Sequence, residues 1–122
     1  NVNGVEISPL EFSSAILLDQ WKSAPDEQEF TLMRIIVSGS ENGKHKTYTY
    51  DLFDTYDAAT RSSSMSRTTG YTCTGSLHLI MDKLFTEKGV FPPELVGKHE
   101  NCFHFIMKYL KERNVAYHVT KE

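Results

Sequence analysis

Apolar residues recur along the chain at two spacings, and each spacing implies an element. Leu10, Ala15, Leu17, Leu18 and Trp21 form a helical stripe. Just ahead of it, Ser8-Pro9-Leu10-Glu11 has the layout of a capping box, with Ser8 as N-cap, Pro9 at the first helical position and Glu11 at the third. The pattern predicts a helix over residues 9–22, broken by Ala24-Pro25-Asp26. Residues 30–38 are strand formers, apolar on both alternating faces. Such a strand should be covered on both sides, or by helices on one side and a partner on the other. Glu41-Asn42-Gly43-Lys44 is the strongest hairpin signal, because Asn-Gly readily takes the positive φ of a tight turn. A second strand follows through Thr47, Tyr48, Thr49, Tyr50, Leu52 and Phe53. The pair should be long and antiparallel, with its tyrosines and threonines exposed on one face as a candidate subunit interface.

Periodicity is lost between residues 54 and 70, a Ser-, Thr- and Arg-rich stretch with only Tyr56 and Met65 as large apolar anchors. Loops of that length in compact domains are usually functional or disordered. A helix is expected to begin after Gly70 and run to about residue 85, with Leu77, Ile80, Met81 and Leu84 as its core stripe. Gly89-Val90-Phe91-Pro92-Pro93-Glu94 reads as an extended connector held out of helix by its prolines. A further helix over residues 97–113 carries Phe103, Ile106, Met107 and Leu110, and alternation over residues 115–120 marks a last strand. The order predicts an α+β fold, an antiparallel or mixed β-sheet packed against helices in two layers.

Composition narrows the classes. At 122 residues there is room for one domain, and 39% hydrophobic with 24% charged residues is a globular balance. No apolar run approaches the roughly 20 residues that span a bilayer, so no membrane role is expected. The opening Asn1, Asn3 and Gly4 lack the basic flank and cleavage pattern of a secretory leader, and the missing initiator methionine hints at a fragment. A net charge of −3 with scattered Lys and Arg argues against a nucleic-acid partner, which needs a concentrated basic face. Cys73 and Cys102 are able to pair once, but they read as reduced thiols of a cytoplasmic protein.

Candidate chemistry concentrates in Ser64-Met65-Ser66-Arg67-Thr68-Thr69-Gly70-Tyr71. As a loop running into a helix start, it would bring an arginine, two hydroxyls and a glycine to unsatisfied N–H groups that favour an anion. Arg67 offers a planar fork for a carboxylate, and Gly70 permits close backbone approach. A carboxylate-bearing substrate fits that arrangement. So does a structural account: Thr69 caps the helix, Gly70 makes the turn and Arg67 pairs with a nearby Asp.

The segment resembles the S-x-M-x-R-T-T-G signature in the C-terminal domain of saccharopine dehydrogenase-like proteins, a family that includes lysine 6-dehydrogenase-like enzymes. Further matching stretches follow the same order: the Ser8-Pro9 helix start, Val37-Ser38-Gly39 with Gly43-Lys44, Leu52-Phe53-Asp54-Thr55-Tyr56-Asp57, and Gly89-Val90-Phe91-Pro92-Pro93-Glu94. The resemblance spans nearly the whole chain. It implies a two-domain enzyme in which a Rossmann domain, missing here, binds NAD(P), while this domain closes over an amino-acid substrate and supplies homodimer contacts. Arg67, Thr68, Thr69 and Gly70 would then line the cleft and hold a substrate carboxylate. No G-x-G-x-x-G follows a strand, so this fragment is not expected to bind the cofactor or to catalyse alone. The alternative is a free-standing, non-catalytic ligand-binding or interaction module.

Other residues carry two readings each. Asp54 or Asp57 would attract the amino group of a lysine-like substrate or brace Arg67, or else serve ordinary turn chemistry; Asp57 is retained as a substrate-side candidate and Asp51 is read as structural. His99, Cys102 and His104 lack metal-ligand spacing, since His104 points away from the face shared by the other two. Cys102 should pack beside Phe103 and Ile106, and His78 reads as an ordinary half-buried histidine. Cys73, placed in a first helical turn, would have an activated thiol unless it is simply packed. Tyr48, Tyr50 and Tyr56 read as a sheet face or dimer contact.

Overall fold

A computed structural model describes residues 1–22, 24 and 27–122. Helix α1 (Pro9–Gln20) is followed by strands β1 (Phe30–Glu41) and β2 (Lys44–Thr55). Then come helices α2 (Ser64–Met81), α3 (Pro93–Gly97) and α4 (Glu100–Lys111), and a last strand β3 (Tyr117–Lys121). The fold is α+β: a three-stranded antiparallel sheet in the order β1-β2-β3, with helices against one face. Among the described residues, no helix is long and apolar enough to cross a membrane.

The start of α1 follows its sequence signal, with the Ser8 hydroxyl accepting from the Glu11 N–H and Pro9 in the first turn. The Pro25-Asp26 part of the expected breaker lies outside the described residues. No residue of α1 is buried. Its apolar residues surround the helix rather than forming one stripe, and Trp21 at its end is 70% exposed. A helix apolar on all sides has the surface of one buried in a larger body.

The hairpin forms as its turn residues dictate. Glu41 pairs with Lys44 across Asn42 and Gly43, whose φ angles of 54° and 76° are those of a tight two-residue turn. The register then sorts side chains by parity. Met33, Ile35 and Val37 share a face with Tyr48, Tyr50 and Leu52, toward the helices. Leu32, Arg34 and Ile36 share the other with Phe53, Asp51 and Thr49. The tyrosines and threonines of β2 therefore lie on opposite faces, not together, because strand side chains alternate with a period of two.

Leu52 on β2, Leu110 at the end of α4 and Val115 form the buried core, with Tyr71, Ile106 and Tyr117 packed around it. On the opposite sheet face Phe30, Leu32, Ile36 and Phe53 are all exposed. An Arg34–Asp51 ion pair of 2.6 Å bridges its middle, which gives Asp51 the structural role its position suggests.

Several expected boundaries move, including the end of the second helix, which stops at Met81 rather than near residue 85. Helix α2 begins at Ser64 rather than after Gly70, with Ser63 as N-cap accepting from the Ser66 N–H at 3.1 Å. The hydroxyl-rich sequence is compatible with helix because those hydroxyls turn back onto the preceding turn. Thr68 donates to the Ser64 carbonyl, Thr72 to Thr68, Thr74 to Gly70 and Ser76 to Thr72. The inward face of α2 is Ser64, Arg67, Gly75 and Leu79, while Leu77, Ile80 and Met81 are exposed, so the expected apolar stripe is not its core face. Pro93 opens the short helix α3 instead of prolonging a connector, as proline's fixed φ suits a first helical turn. The expected helix over residues 97–113 is shorter, running as α4 from Glu100 to Lys111 after His99, while Gly97 ends α3.

Candidate functional site

Strand β2 ends at Thr55 and α2 starts nine residues later, so the signature segment sits above the end of the sheet. The Glu29 carboxylate accepts from the Ser64 N–H, and the buried Ser64 hydroxyl donates to the Asp54 carbonyl at 3.1 Å. These bonds seat the first turn of α2 on the end of β2. Asp57 organises the loop between them, accepting from the Ala59 and Thr60 N–H groups and from the Thr60 hydroxyl. Thr60 and Ala59, followed by burial and the Arg67 charge, set the Asp57 carboxyl, which lies below the usual range.

Arg67 projects from the first two turns of α2 into this junction and is only 7% exposed. Its Nε and Nη2 donate to the two oxygens of Asp54 at 3.1 and 3.2 Å, Nη1 donates to Asp57 at 3.1 Å, and Nη2 also donates to the Arg113 carbonyl at 3.2 Å. A guanidinium has five N–H donors. Four are engaged here, and the bond to Asp54 raises the Arg67 pKa further, against the opposing cost of burial. The fork expected to face a ligand is thus closed on two carboxylates of its own chain.

The remaining predicted residues separate. Thr68 spends its hydroxyl on the Ser64 and Met65 carbonyls, while Thr69 is exposed on α2. Gly70 is the seventh residue of α2, not its start, so neither Thr69 nor Gly70 caps a helix and the anticipated anion site at a helix N-terminus is not formed there. Gly70 does line an open depression of about 380 Å³, together with Ser66, Arg67, Tyr71, Tyr109 and Arg113. The structure therefore brings Arg67 and Gly70 to one concave surface, with Asp57 behind Arg67, and directs Thr68 back into its own helix.

Arg113 and Tyr109 have no signal in the sequence pattern, and Tyr71 enters there only as the last residue of the signature segment. Arg113 lies just beyond α4; its Nη1 donates to the Tyr109 carbonyl at 2.9 Å, and its guanidinium carbon lies 3.4 Å from the centre of the Tyr109 ring. Tyr71 is farther away, 5.9 Å from Arg113 and 5.8 Å from Arg67. An arginine just past a helix end signals capping of the last carbonyls. Its meeting with Arg67, 46 residues earlier, has no local signature.

Other titratable groups are dispersed. His99 lies 3.1 Å from Glu87, His104 lies 3.4 Å from Glu100, and the His78 ring meets Tyr109 at a tilt, 5.5 Å between ring centres. Among the described residues, no three His, Cys, Asp or Glu side chains converge as a metal-binding group. Cys73 is exposed on the tenth residue of α2, away from the terminal N–H groups that would activate a first-turn thiol. Cys102 is buried, its thiol donating to the Leu84 carbonyl at 3.5 Å, and burial raises its pKa. Both cysteines are free.

A larger groove of about 860 Å³ runs between α2, α3 and α4 and is lined chiefly by apolar side chains, including Leu79, Phe85, Phe91, Phe103 and Ile106. Its size exceeds that of the Arg113 depression; its lining also holds Lys83, Lys88 and Glu87 but no arginine. Neither concavity suits a dinucleotide cradle. Among the described residues the sheet is wholly antiparallel, and the β2-to-α2 connection, residues 56–63, contains no glycine.

No solved structure matches the chain. The family model described as Saccharopine dehydrogenase C-terminal domain matches residues 1–115, a span that includes β1, β2, all four helices and both arginines of the depression. The chain belongs to the saccharopine dehydrogenase C-terminal domain family.

Proposed function

We propose that this chain is the substrate-binding and dimerisation domain of a saccharopine dehydrogenase-like, NAD(P)-dependent cytoplasmic oxidoreductase of amino-acid metabolism. The amino-acid substrate, of the lysine or saccharopine type, carries a carboxylate that rests in the depression beside Arg67 and Gly70. NAD(P) is held by a Rossmann domain outside these residues, since the antiparallel sheet offers no dinucleotide cradle. The observation that supports the reading best is the conjunction of family membership with a concave, arginine-bearing surface on the signature segment itself. Its contribution to catalysis is orientation of the substrate; hydride chemistry belongs to the nucleotide when that is bound. The exposed apolar sheet face supports the dimerisation part.

The test joins the chain to the sequence preceding it in its gene and measures NAD(P)H formation or consumption with lysine and with saccharopine. Turnover that depends on one of these amino acids is expected. A preceding sequence without a dinucleotide-binding domain, or a joined protein inert toward both, favours instead a free-standing binding module. That second reading draws on Arg67, Asp54 and Asp57, whose charged groups already satisfy one another.

A further inference from the structure

The depression contains two guanidinium groups with opposite availability. Arg67 has one N–H uncommitted and lies behind Asp54 and Asp57. Arg113 has one N–H engaged, with the Tyr109 carbonyl, and no carboxylate partner among the described residues. Four donors of Arg113 therefore remain for a ligand, on a half-buried side chain that lines the depression. The ring of Tyr109 at 3.4 Å supports one face of the guanidinium and limits its rotation. The Arg113 backbone is fixed by Arg67, whose Nη2 donates to its carbonyl.

Resting on the substrate-binding reading above, we propose that Arg113 grips the substrate carboxylate and that Arg67 is the positioning residue that holds it in place. The chemistry follows from the donor sets. A planar fork with parallel N–H groups matches a carboxylate in bidentate fashion, and Arg113 has such a pair free while Arg67 does not. The two arginines and two aspartates sum to zero charge, so directional hydrogen bonds rather than a broad positive field select the ligand. Asp57 has no role toward a substrate amine in this arrangement, because its oxygens already accept from Ala59, Thr60 and Arg67. Gly70 lines the same depression and leaves open space, with nothing within 4 Å of where a Cβ would stand.

Four arginines in the chain give four Nε–H signals in a ¹⁵N spectrum, which allows a direct test. The whole chain is titrated with glutarate as a carboxylate probe and with 1,5-diaminopentane as an amine control of equal carbon length. Glutarate is expected to shift the Arg113 Nε–H and the Gly70 amide saturably, while the diamine shifts neither. Arg113→Lys keeps the charge and loses the fork, and should weaken glutarate binding, followed at Gly70, by about tenfold. Arg67→Lys should move the Arg113 signal in the ligand-free chain and also weaken glutarate binding. A shift of Arg67 without Arg113, unchanged affinity in Arg113→Lys, or no saturable shift at Gly70 overturns the proposal. Glutarate binding of the expected kind with no dehydrogenase activity in the joined protein defeats only the enzyme reading. In an active joined enzyme, Arg113→Lys should raise KM for the amino acid far more than it lowers kcat, and an unchanged KM overturns the proposal alone.

Discussion

Arg67 and Asp54 make a two-pronged contact, Nε to one carboxylate oxygen at 3.1 Å and Nη2 to the other at 3.2 Å, with both side chains nearly sealed from solvent. Between them they tie the start of α2 to the end of β2. Removing one member leaves a buried charge without its partner, which costs far more than the pair contributes. Arg67→Met should therefore destabilise the fold by about 3 kcal/mol. Arg67→Met combined with Asp54→Leu should recover a large part of the loss. Denaturant melts of the three variants check this, and a double variant no more stable than Arg67→Met would show that the pair does more than compensate its own burial.

Acid should act on this junction and on the open sheet face. The Asp57 carboxyl lies below its ordinary pKa through its bonds to Thr60 and Ala59, and Asp51 lies lower through its bond to Arg34. Between the folded and the unfolded pKa the native chain binds fewer protons, so falling pH favours unfolding. The stabilisation is complete above the unfolded value and is lost as pH falls below about 4 through the folded values. Melting temperatures from neutral to acid pH should decline in that range, with a smaller acid-induced decline in Asp57→Asn.

The two glycines of α2 separate a ligand wall from a packing contact. A Cβ at Gly70 meets nothing within 4 Å, whereas one at Gly75 stands 3.0 Å from Tyr109 Cδ1 and 3.1 Å from Ile106 Cδ1. Gly70→Ala should stabilise the helix by about 0.5–1 kcal/mol and narrow the depression. Gly75→Ala crowds α4 against α2 and should forfeit that gain through overpacking that costs about 1–3 kcal/mol. Thermal melts giving Gly75→Ala the higher stability would refute the tight α2–α4 approach.

Much of this architecture is legible in local sequence. The Ser8-Pro9 start of α1 and the Asn42-Gly43 turn depend on residues adjacent in the chain, and both occur where their chemistry places them. The start of α2 is not legible in the same way. Its Ser and Thr residues suit a loop by propensity, and only bonds back to i−4 carbonyls and the seating of Ser64 on Asp54 make a helix of them. Arg67 and Asp54 stand out as candidates, but their mutual neutralisation depends on the β2 register and the α2 phase together. Arg113 owes its place to tertiary packing alone, a contact across 46 residues that no spacing rule encodes.

The two thiols should differ sharply toward an alkylating reagent. Cys73 is exposed on α2, while Cys102 is 1% exposed, bonded to the Leu84 carbonyl, and its pKa is raised by burial. Burial disfavours the thiolate that reacts. Mass spectrometry after brief iodoacetamide treatment should find one adduct, on Cys73, in the native chain and two after denaturation. Early modification of Cys102 would mean that the α4 side of the core opens readily.

The open sheet face carries the last prediction. Leu32 is 72% exposed, and it lies with the exposed Phe30, Ile36 and Phe53 around the Arg34–Asp51 pair on one sheet face. Contiguous apolar area of this kind marks an interaction surface, and a two-fold partner presents the same surface in return. Arg34 and Asp51 then become self-complementary, since rotation about a two-fold axis brings the cation of one copy toward the anion of the other. Light scattering should give a dimer for the wild-type chain and a monomer for Leu32→Lys. Since Leu32 has little buried area to lose within its own chain, the melting transition of the dilute monomer should change little. A wild-type monomer at high concentration, or a Leu32→Lys dimer, would assign the face to another partner.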